Sequence, residues 1–190
     1  MVVRTEVAGV QATASNDATR AKEGGKTAVS PRTQRASAAV ILSLAGATLK
    51  YAYIGDSAFA VFRDGKLFFR SEAQVHSFNH PFQLSVKNGN SVTSAARGGV
   101  EVKEGDVVVA GTDGLFDNVT NEELQRIVAM GRALGLSPKQ TADVVAGFAY
   151  EASTTMGRDT PFSLESRKLQ RTTFRRGKRD DITVVVAYIV

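Results

Sequence analysis

Three short acidic motifs stand at the ends of apolar, strand-like runs, and no other feature of the sequence constrains the fold as much. The motifs are Gly55-Asp56-Ser57, Gly111-Thr112-Asp113-Gly114-Leu115-Phe116-Asp117-Asn118 and Asp180-Asp181-Ile182-Thr183. Carboxylates that converge from strand ends are typical ligands of hard divalent cations. The sequence therefore predicts a strand-rich domain built around an oxygen-ligand metal site.

Apolar or β-prone runs predict antiparallel strands that are joined by tight turns. The runs before residue 111 are 38–44, 48–54, 58–62, 67–70, 100–102 and 107–110. They flank the turn segments Leu44-Ala45-Gly46-Ala47, Asp64-Gly65 and Glu104-Gly105-Asp106, and Asp-Gly in particular favours the primed turns of hairpins. We therefore expect three hairpins, and the β-branched run 182–190 predicts a last strand buried on both faces.

Capping signals predict two amphipathic helices between the strands. Thr120 with Glu123 forms one capping box, and Ser137 followed by Pro138 and Gln140 begins a second helix. The predicted buried faces are Leu124, Ile127, Val128 and Leu134 on the first helix and Val145, Phe148, Ala149 and Ala152 on the second. Because strands come in blocks and the helices as a pair, the pattern indicates an α+β fold.

Length and composition limit the classes of protein to consider. A chain of 190 residues with 43% apolar content can bury a single-domain core, about 70% of the surface of the unfolded chain. The chain has no cysteine, which excludes disulfides, thiolate metal sites and a cysteine nucleophile. No apolar run approaches the ~20 residues of a membrane span. We expect an intracellular, soluble protein without a membrane partner, and a monomer by default.

The first 37 residues differ in amino-acid composition from the rest of the chain. Between Gln11 and Ser37, Val29 is the one large aliphatic side chain, so this segment cannot bury enough apolar area to offset its ordering entropy. We therefore divide the chain into a flexible arm at 1–37 and a folded portion at 38–190. The Arg- and Ser-containing arm is also similar in composition to a transit peptide, which would place the protein in a chloroplast or mitochondrion.

Much of the positive charge lies in one basic segment between Gly157 and Arg179. It contains eight Lys or Arg residues against Asp159 and Glu165. Three interpretations stay open: a solvated loop, a dock for acidic or phosphorylated partners, and a nucleic-acid site. Aromatic residues at stacking spacing are lacking, since the segment offers only Phe162 and Phe174. We expect no nucleic-acid partner.

The aspartates carry the predicted chemistry. Gly114 would let backbone approach a ligand beside Asp113, and Asp117 would lie one helical turn further on. Gly55 would turn the chain sharply to present Asp56 at a strand end. Each motif alone is typical of ordinary turns. Together they indicate an Mg²⁺ or Mn²⁺ site whose metal-bound water serves as a nucleophile.

The order and spacing of these motifs resemble the metal-dependent protein phosphatase family, protein phosphatase 2C. The resemblance covers about residues 36–190, and the stretch 71–84, SEAQVHSFNHPFQL, is similar to the branch that includes organellar phosphatases. It implies a β-sandwich flanked by helices in αββα layers. It also implies a serine/threonine protein phosphatase that hydrolyses phosphoserine and phosphothreonine in protein substrates.

The resemblance assigns a role to each aspartate. It implies that Asp113 and Asp180 are the catalytic ligands of a two-metal centre that activates water. It also implies that Asp56 and Asp117, together with Asp113, hold a further and weaker metal. The cofactor would be Mg²⁺ or Mn²⁺.

One family motif has no counterpart in the sequence. The first Asp-Gly pair of the family bridges both catalytic metals, whereas the Asp-Gly pairs here are Asp64-Gly65, in a predicted hairpin turn, and Asp113-Gly114. We therefore expect residues 38–190 to be the C-terminal portion of an N-terminally incomplete phosphatase domain. Losing the bridging carboxylate should abolish turnover. The alternatives are a fragment of an active phosphatase and a non-catalytic phosphatase-like binding module.

Overall fold

The strands of the molecule form two principal antiparallel sheets. The structure is a computed structural model that describes residues 3–10, 36–85, 89–169 and 175–190. The strands in these ranges are β1 Val3–Val10, β2 Ala36–Ser37, β3 Ala39–Ala45, β4 Thr48–Ile54, β5 Ala58–Arg63, β6 Lys66–Arg70, β7 Val75–Ser77, β8 His80–Pro81, β9 Leu84–Ser85, β10 Ala96–Glu101, β11 Val107–Gly111 and β12 Ile182–Ile189. The helices are α1 Asp113–Phe116, α2 Asn121–Ala133, α3 Pro138–Thr154 and α4 Pro161–Lys168.

The larger sheet has the order β1-β12-β11-β5-β6, and the smaller sheet has the order β10-β4-β3. Every pairing in both sheets is antiparallel. The registers place Val109 opposite both Val186 and Ala60, so β11 lies in the middle of the larger sheet. The α+β prediction is confirmed. The prediction that the last strand is buried on both faces is also confirmed, because no residue of β12 is exposed.

Helices α2 and α3 begin at the predicted capping boxes. Thr120 Oγ1 accepts a hydrogen bond from the Glu123 amide, and Ser137 Oγ accepts one from the Gln140 amide, each at 3.2 Å. The helices cover one face of the larger sheet with a core that includes Phe62, Val109, Leu115, Leu124, Val128, Val145, Ala149, Val184 and Val186. The prediction for Leu134 is wrong: this residue ends α2 as its C-cap and is 68% exposed.

The other face of the larger sheet packs against the smaller sheet. Phe59, Val61, Leu49 and Val100 are buried between the two sheets. An apolar cavity of about 340 Å³ remains there, lined by Leu42, Leu44, Leu49, Val108, Ala110, Val185, Ala187 and Ile189.

Two of the three predicted hairpins are present, and the third is wrong. β3 pairs with β4, and β5 pairs with β6 around Asp64-Gly65. β10 and β11, however, lie in different sheets, because β10 pairs with β4 while β11 pairs with β5 and β12. The intervening turn holds Asp106, whose carboxylate accepts hydrogen bonds from Arg63 and from the Lys103 amide. Those contacts direct the chain from one sheet to the other.

The prediction of a flexible arm at 1–37 is wrong at both ends of that segment. Residues 3–10 form β1, which runs antiparallel to β12 at the edge of the larger sheet, and Ala36–Ser37 forms β2, which pairs with β9. Backbone hydrogen bonds to β12 hold β1 at the edge of the sheet, so local composition does not decide its structure. Residues 11–35 of the predicted arm lie outside the described residues.

The basic segment between Gly157 and Arg179 is not a loop throughout. Residues 161–168 form α4, and Thr160 is its N-cap: the hydroxyl of this residue accepts a hydrogen bond from the Ser163 amide at 3.2 Å. Residues 170–174 lie outside the described ranges. Within those ranges, no helix combines the length and apolar character that crossing a membrane requires.

Candidate metal centre

The end of β11 and the beginning of β12 bring two of the acidic motifs together. Thr112 follows β11, donates a hydrogen bond from its hydroxyl to the Asp181 carbonyl at 2.7 Å, and accepts one from the Thr183 amide at 3.1 Å. Gly114 lies directly against the backbone of Asp181, where a Cβ atom would overlap the carbonyl oxygen. A glycine is therefore required at this close approach. It allows Asp113 and Asp180 to face the same site.

Asp113 and Asp117 lie one turn apart, as predicted. Asp113 is the first residue of α1, and the Asp117 amide donates to the Asp113 carbonyl at 2.7 Å. Their side chains therefore project from the same side of this short helix.

Three of the four predicted aspartates surround one ammonium group. Lys178 Nζ lies 2.5 Å from Asp113 Oδ2, 3.1 Å from Asp117 Oδ2 and 3.1 Å from Asp180 Oδ2. The Lys178 side chain is 17% exposed, so the ammonium has left most of its hydration shell. We call Asp113, Asp117, Asp180 and Lys178 the carboxylate cluster.

Asp56 lies next to this cluster without contacting the ammonium. It follows Gly55, whose φ of +97° and close approach to Ala38 and the Phe82 carbonyl exclude a side chain at that position. Asp56 and Asp117 both line a cavity of about 580 Å³. Burial, followed by the negative charge of Asp113, raises the pKa of Asp56.

The cluster carries more negative charge than Lys178 can balance. Burial raises the pKa of Asp117 to about 6 although Lys178 opposes the rise, and Asp113 and Asp56 raise it further. For Lys178, burial alone would lower the pKa, but Asp117 and Asp113 outweigh burial and raise it. One ammonium is shared by three carboxylates, so further positive charge would stabilise the site.

Two residues of the site were missed by sequence reasoning. Lys178 is one of eight basic residues in its segment, and no sequence signal distinguishes it from the others. Asn118 belongs to the 111–118 string, in which only the aspartates have predicted roles. It is 1% exposed; its amide donates to the carbonyls of Gly114 and Lys178 at 2.8 Å, and its oxygen accepts from the Lys178 amide at 2.9 Å. Asn118 thus ties α1 to the segment that carries Lys178 and Asp180.

The donor chemistry of the cluster fits a hard divalent cation. All the candidate ligands are carboxylate oxygens, which Mg²⁺ and Mn²⁺ prefer, and three of them already converge on one positive charge. Within the described ranges, no three His, Asp or Glu side chains already stand at metal-ligand spacing. The carboxylates are spaced for the longer contacts of an ammonium group.

Comparisons with known proteins identify the family. No protein-family model matches the chain. However, the chain is 95% identical over 163 residues to a protein of Oryza sativa subsp. japonica that is named as protein phosphatase 2C 24, an alignment that covers 86% of this chain and 52% of the relative. The chain belongs to the protein phosphatase 2C family.

Other comparisons agree with this assignment to the protein phosphatase 2C family. A second protein of Oryza sativa subsp. japonica, named as protein phosphatase 2C 23, is 52% identical over 162 residues, or 83% of this chain and 51% of the relative. The chain thus spans about half the length of these curated relatives. The crystal structure of the photosystem II phosphatase PBCP superposes with a TM-score of 0.73 at 30% identity, covering 82% of this chain and 64% of that chain.

The fold extends to a solved structure of lower sequence identity. The catalytic domain of the serine/threonine protein phosphatase PstP, solved with two manganese ions, shares 20% identity and a TM-score of 0.54 over 82% of this chain and 59% of its own. This similarity shows the common fold. The predicted family and fold class are therefore confirmed, while the roles of the individual aspartates stay predictions.

Proposed function

We propose that this chain supplies metal-binding aspartates to a metal-dependent serine/threonine protein phosphatase. The observation that carries the proposal is the convergence of Asp113, Asp117 and Asp180 on a single positive charge. These residues come from two motifs separated by more than 60 residues in sequence. Such convergence has no use in a turn, whereas it is what a cation site requires.

In this proposal Asp113 and Asp180 hold a catalytic Mg²⁺ or Mn²⁺, and Asp56 and Asp117 join Asp113 around a further ion. A bound metal supplies a water molecule of lowered pKa for attack on phosphorus. The chain itself holds the carboxylates in place through α1 and through Asn118.

The substrates we propose are proteins that carry phosphoserine or phosphothreonine. The cavity of about 580 Å³ that Asp56 and Asp117 line is open beside the cluster, and Phe78, Phe116 and Phe162 contribute apolar walls to it. This cavity is the candidate site for the substrate segment around the phosphorylated residue.

Phosphopeptide hydrolysis tests the proposal. In a longer protein that also supplies the family's first Asp-Gly motif, phosphate release should require Mn²⁺ or Mg²⁺, stop in excess chelator, and be abolished by Asp113→Asn. Asp64→Asn is the matched control, because Asp64 is the aspartate of the other Asp-Gly pair. It lies in the exposed β5–β6 turn, where it forms an ion pair with Lys103. Hydrolysis that continues in chelator would overturn the metal-dependent reaction.

A non-catalytic binding module is the second candidate. The observation that favours it is the sequence itself, in which the Asp-Gly pairs are limited to Asp64-Gly65 and Asp113-Gly114. A binding module would take up Mn²⁺ and phosphopeptide without releasing phosphate. Equilibrium binding measured beside the hydrolysis assay distinguishes the two candidates.

We also propose that the chloroplast is the compartment to test first. The support is the 30% identical neighbour, which is a photosystem II phosphatase. A fluorescent fusion of the full-length protein should colocalise with chlorophyll, and a mitochondrial or cytosolic signal would contradict this assignment.

A further inference from the structure

Lys178 is fixed in the carboxylate cluster at both its backbone and its side chain. Its amide and carbonyl are hydrogen-bonded to Asn118 at 2.9 and 2.8 Å. Its ammonium contacts three carboxylates and lies 5.7 Å from the centre of the Phe162 ring. A lysine on a solvated loop would keep its hydration shell and its rotamer freedom. Lys178 keeps neither most of its hydration shell nor its rotamer freedom, so the fold holds its ammonium in one place.

The ammonium occupies the position toward which a divalent cation would be drawn. Its contacts with Asp113 at 2.5 Å and Asp117 at 3.1 Å are charge-assisted hydrogen bonds, and Asp180 adds an ion pair at 3.1 Å. Mg²⁺ binds oxygen at about 2.0–2.1 Å, so the same carboxylate oxygens cannot satisfy both cations at once. Two cations at such short range would also repel each other strongly in a partly buried site.

We infer that Lys178 is an internal cation that holds the carboxylates of Asp113, Asp117 and Asp180 together in the metal-free chain and is displaced when a divalent cation binds. The inference rests on the proposed metal centre and adds a regulatory element to it. Lys178 is a positioning residue in this account. It sets the arrangement of the ligands and competes with the metal for them.

The competition has two consequences of opposite sign. Removing the ammonium takes away the counter-charge that the three carboxylates share and leaves Arg70 acting on Asp117, so the metal-free chain should lose stability. The same excess of negative charge should bind Mn²⁺ more tightly, since the metal no longer has to displace Lys178. A lysine that served only packing would produce the first effect without the second.

Calorimetric titration with Mn²⁺ tests the inference on four forms of the chain. Lys178→Met keeps the aliphatic stem, Lys178→Arg keeps the charge, and Arg179→Met is the matched control because it removes a neighbouring basic residue outside the cluster. We expect Lys178→Met to lower the Kd for Mn²⁺ by about tenfold, a typical coupling between mutually exclusive ligands. Arg179→Met should stay within about twofold of the wild type, and Lys178→Arg should have a Kd above that of Lys178→Met because it keeps a competing positive charge.

An unchanged or higher Kd in Lys178→Met would overturn the inference while leaving the proposed metal centre intact. Absence of Mn²⁺ binding in every form would overturn both. Chemical reactivity provides a second measurement on the unmodified chain, which applies even if Lys178→Met fails to fold. Acetylation of Lys178 by an amine-reactive reagent, followed by peptide mass spectrometry, should rise severalfold when Mn²⁺ is added. Reactivity that does not change on Mn²⁺ addition would contradict the displacement.

Discussion

Two ionic clusters of the molecule have opposite imbalances of charge. In the carboxylate cluster, Asp113, Asp117 and Asp180 share one ammonium. In a second cluster the carboxylate of Asp159 accepts hydrogen bonds from Arg167 at 2.6 Å and from Arg175 at 3.0 and 3.1 Å. We call this second group the arginine cluster. The first has an excess of negative charge and the second an excess of positive charge.

The difference shows what each cluster can still bind. A site with unbalanced carboxylates gains stability from an added cation, whereas paired guanidinium groups around one carboxylate gain nothing from a metal.

A third ionic contact is balanced: Arg63 donates two hydrogen bonds, at 3.0 and 2.8 Å, to Asp106, which is 1% exposed. This pair serves as a reference whose strength should not depend on added ions.

The largest expected effect is on the balanced pair. Arg63→Met leaves the buried Asp106 carboxylate without its counter-charge. It should lower the free energy of unfolding by about 3 kcal/mol, the lower end of the range for a broken buried pair, because Arg63 is partly exposed. Urea denaturation measures the loss. The loss of unfolding free energy should be equal with and without Mn²⁺. If Mn²⁺ restored the lost stability, the balanced pair would respond to a metal and would not differ from the carboxylate cluster.

The next effect is stabilisation of the unbalanced site by a metal. Free Mn²⁺ at a hundredfold excess over its Kd should add about 2.7 kcal/mol to the free energy of unfolding. For a domain of this size that corresponds to a rise in Tm of about 5–10 °C. Differential scanning calorimetry measures the shift. Asp113→Asn should abolish the shift in Tm, while Arg175→Gln in the arginine cluster should leave it unchanged. Loss of the shift in both variants would contradict the claim that the two clusters differ in metal binding.

A smaller effect follows from the buried amide that anchors the carboxylate cluster. Asn118→Ala leaves the Lys178 amide and the carbonyl groups of Gly114 and Lys178 without partners. It should cost about 2 kcal/mol and weaken Mn²⁺ binding through the misplaced segment. Chemical denaturation and metal titration of the same sample measure both consequences. A stability loss with unchanged Mn²⁺ affinity would show that Asn118 supports the fold and not the site.

The smallest effect concerns pH and the arginine cluster. Hydrogen bonds from Arg167, then from Arg175, lower the pKa of Asp159 to about 2 from its ordinary value of 3.8. A depressed carboxyl pKa contributes stability that is present above the ordinary value and is lost as the pH falls toward the folded value. Asp159→Asn should therefore flatten the pH dependence of unfolding between about pH 4 and pH 2. An unaltered slope would mean that these hydrogen bonds contribute nothing in solution.

Sequence patterns predicted the parts of the fold that local chemistry determines. The capping boxes at Thr120 and Ser137 place both long helices correctly, and the spacing of Asp113 and Asp117 predicts their shared helical turn. The beginning of α4 carried a usable signal as well. Thr160 followed by Pro161 repeats the Ser137-Pro138 pattern, whereas the surrounding basic residues favour a solvated loop, one of the three interpretations of this segment.

Tertiary contacts determine the features that sequence reasoning missed. The chain crosses between sheets after β10 because Asp106 is held by Arg63, a residue 43 positions earlier, and no local turn pattern contains that information. Likewise, Lys178 is selected from the basic segment because Asn118 and the three carboxylates surround it. Asn118, Asp113 and Asp117 lie 60, 65 and 61 positions before Lys178, so the residues next to Lys178 do not identify them.

The central claim is that the carboxylate cluster binds a divalent cation, and isothermal titration of Mn²⁺ into the wild-type chain and Asp113→Asn tests it most directly. Changing a hydrogen-bond partner of a metal ligand costs 10- to 100-fold in affinity. Loss of a ligand charge should therefore weaken binding by at least about 100-fold. Asp64→Asn should bind as the wild type does. Equal Mn²⁺ affinity in the wild type and Asp113→Asn would contradict the account.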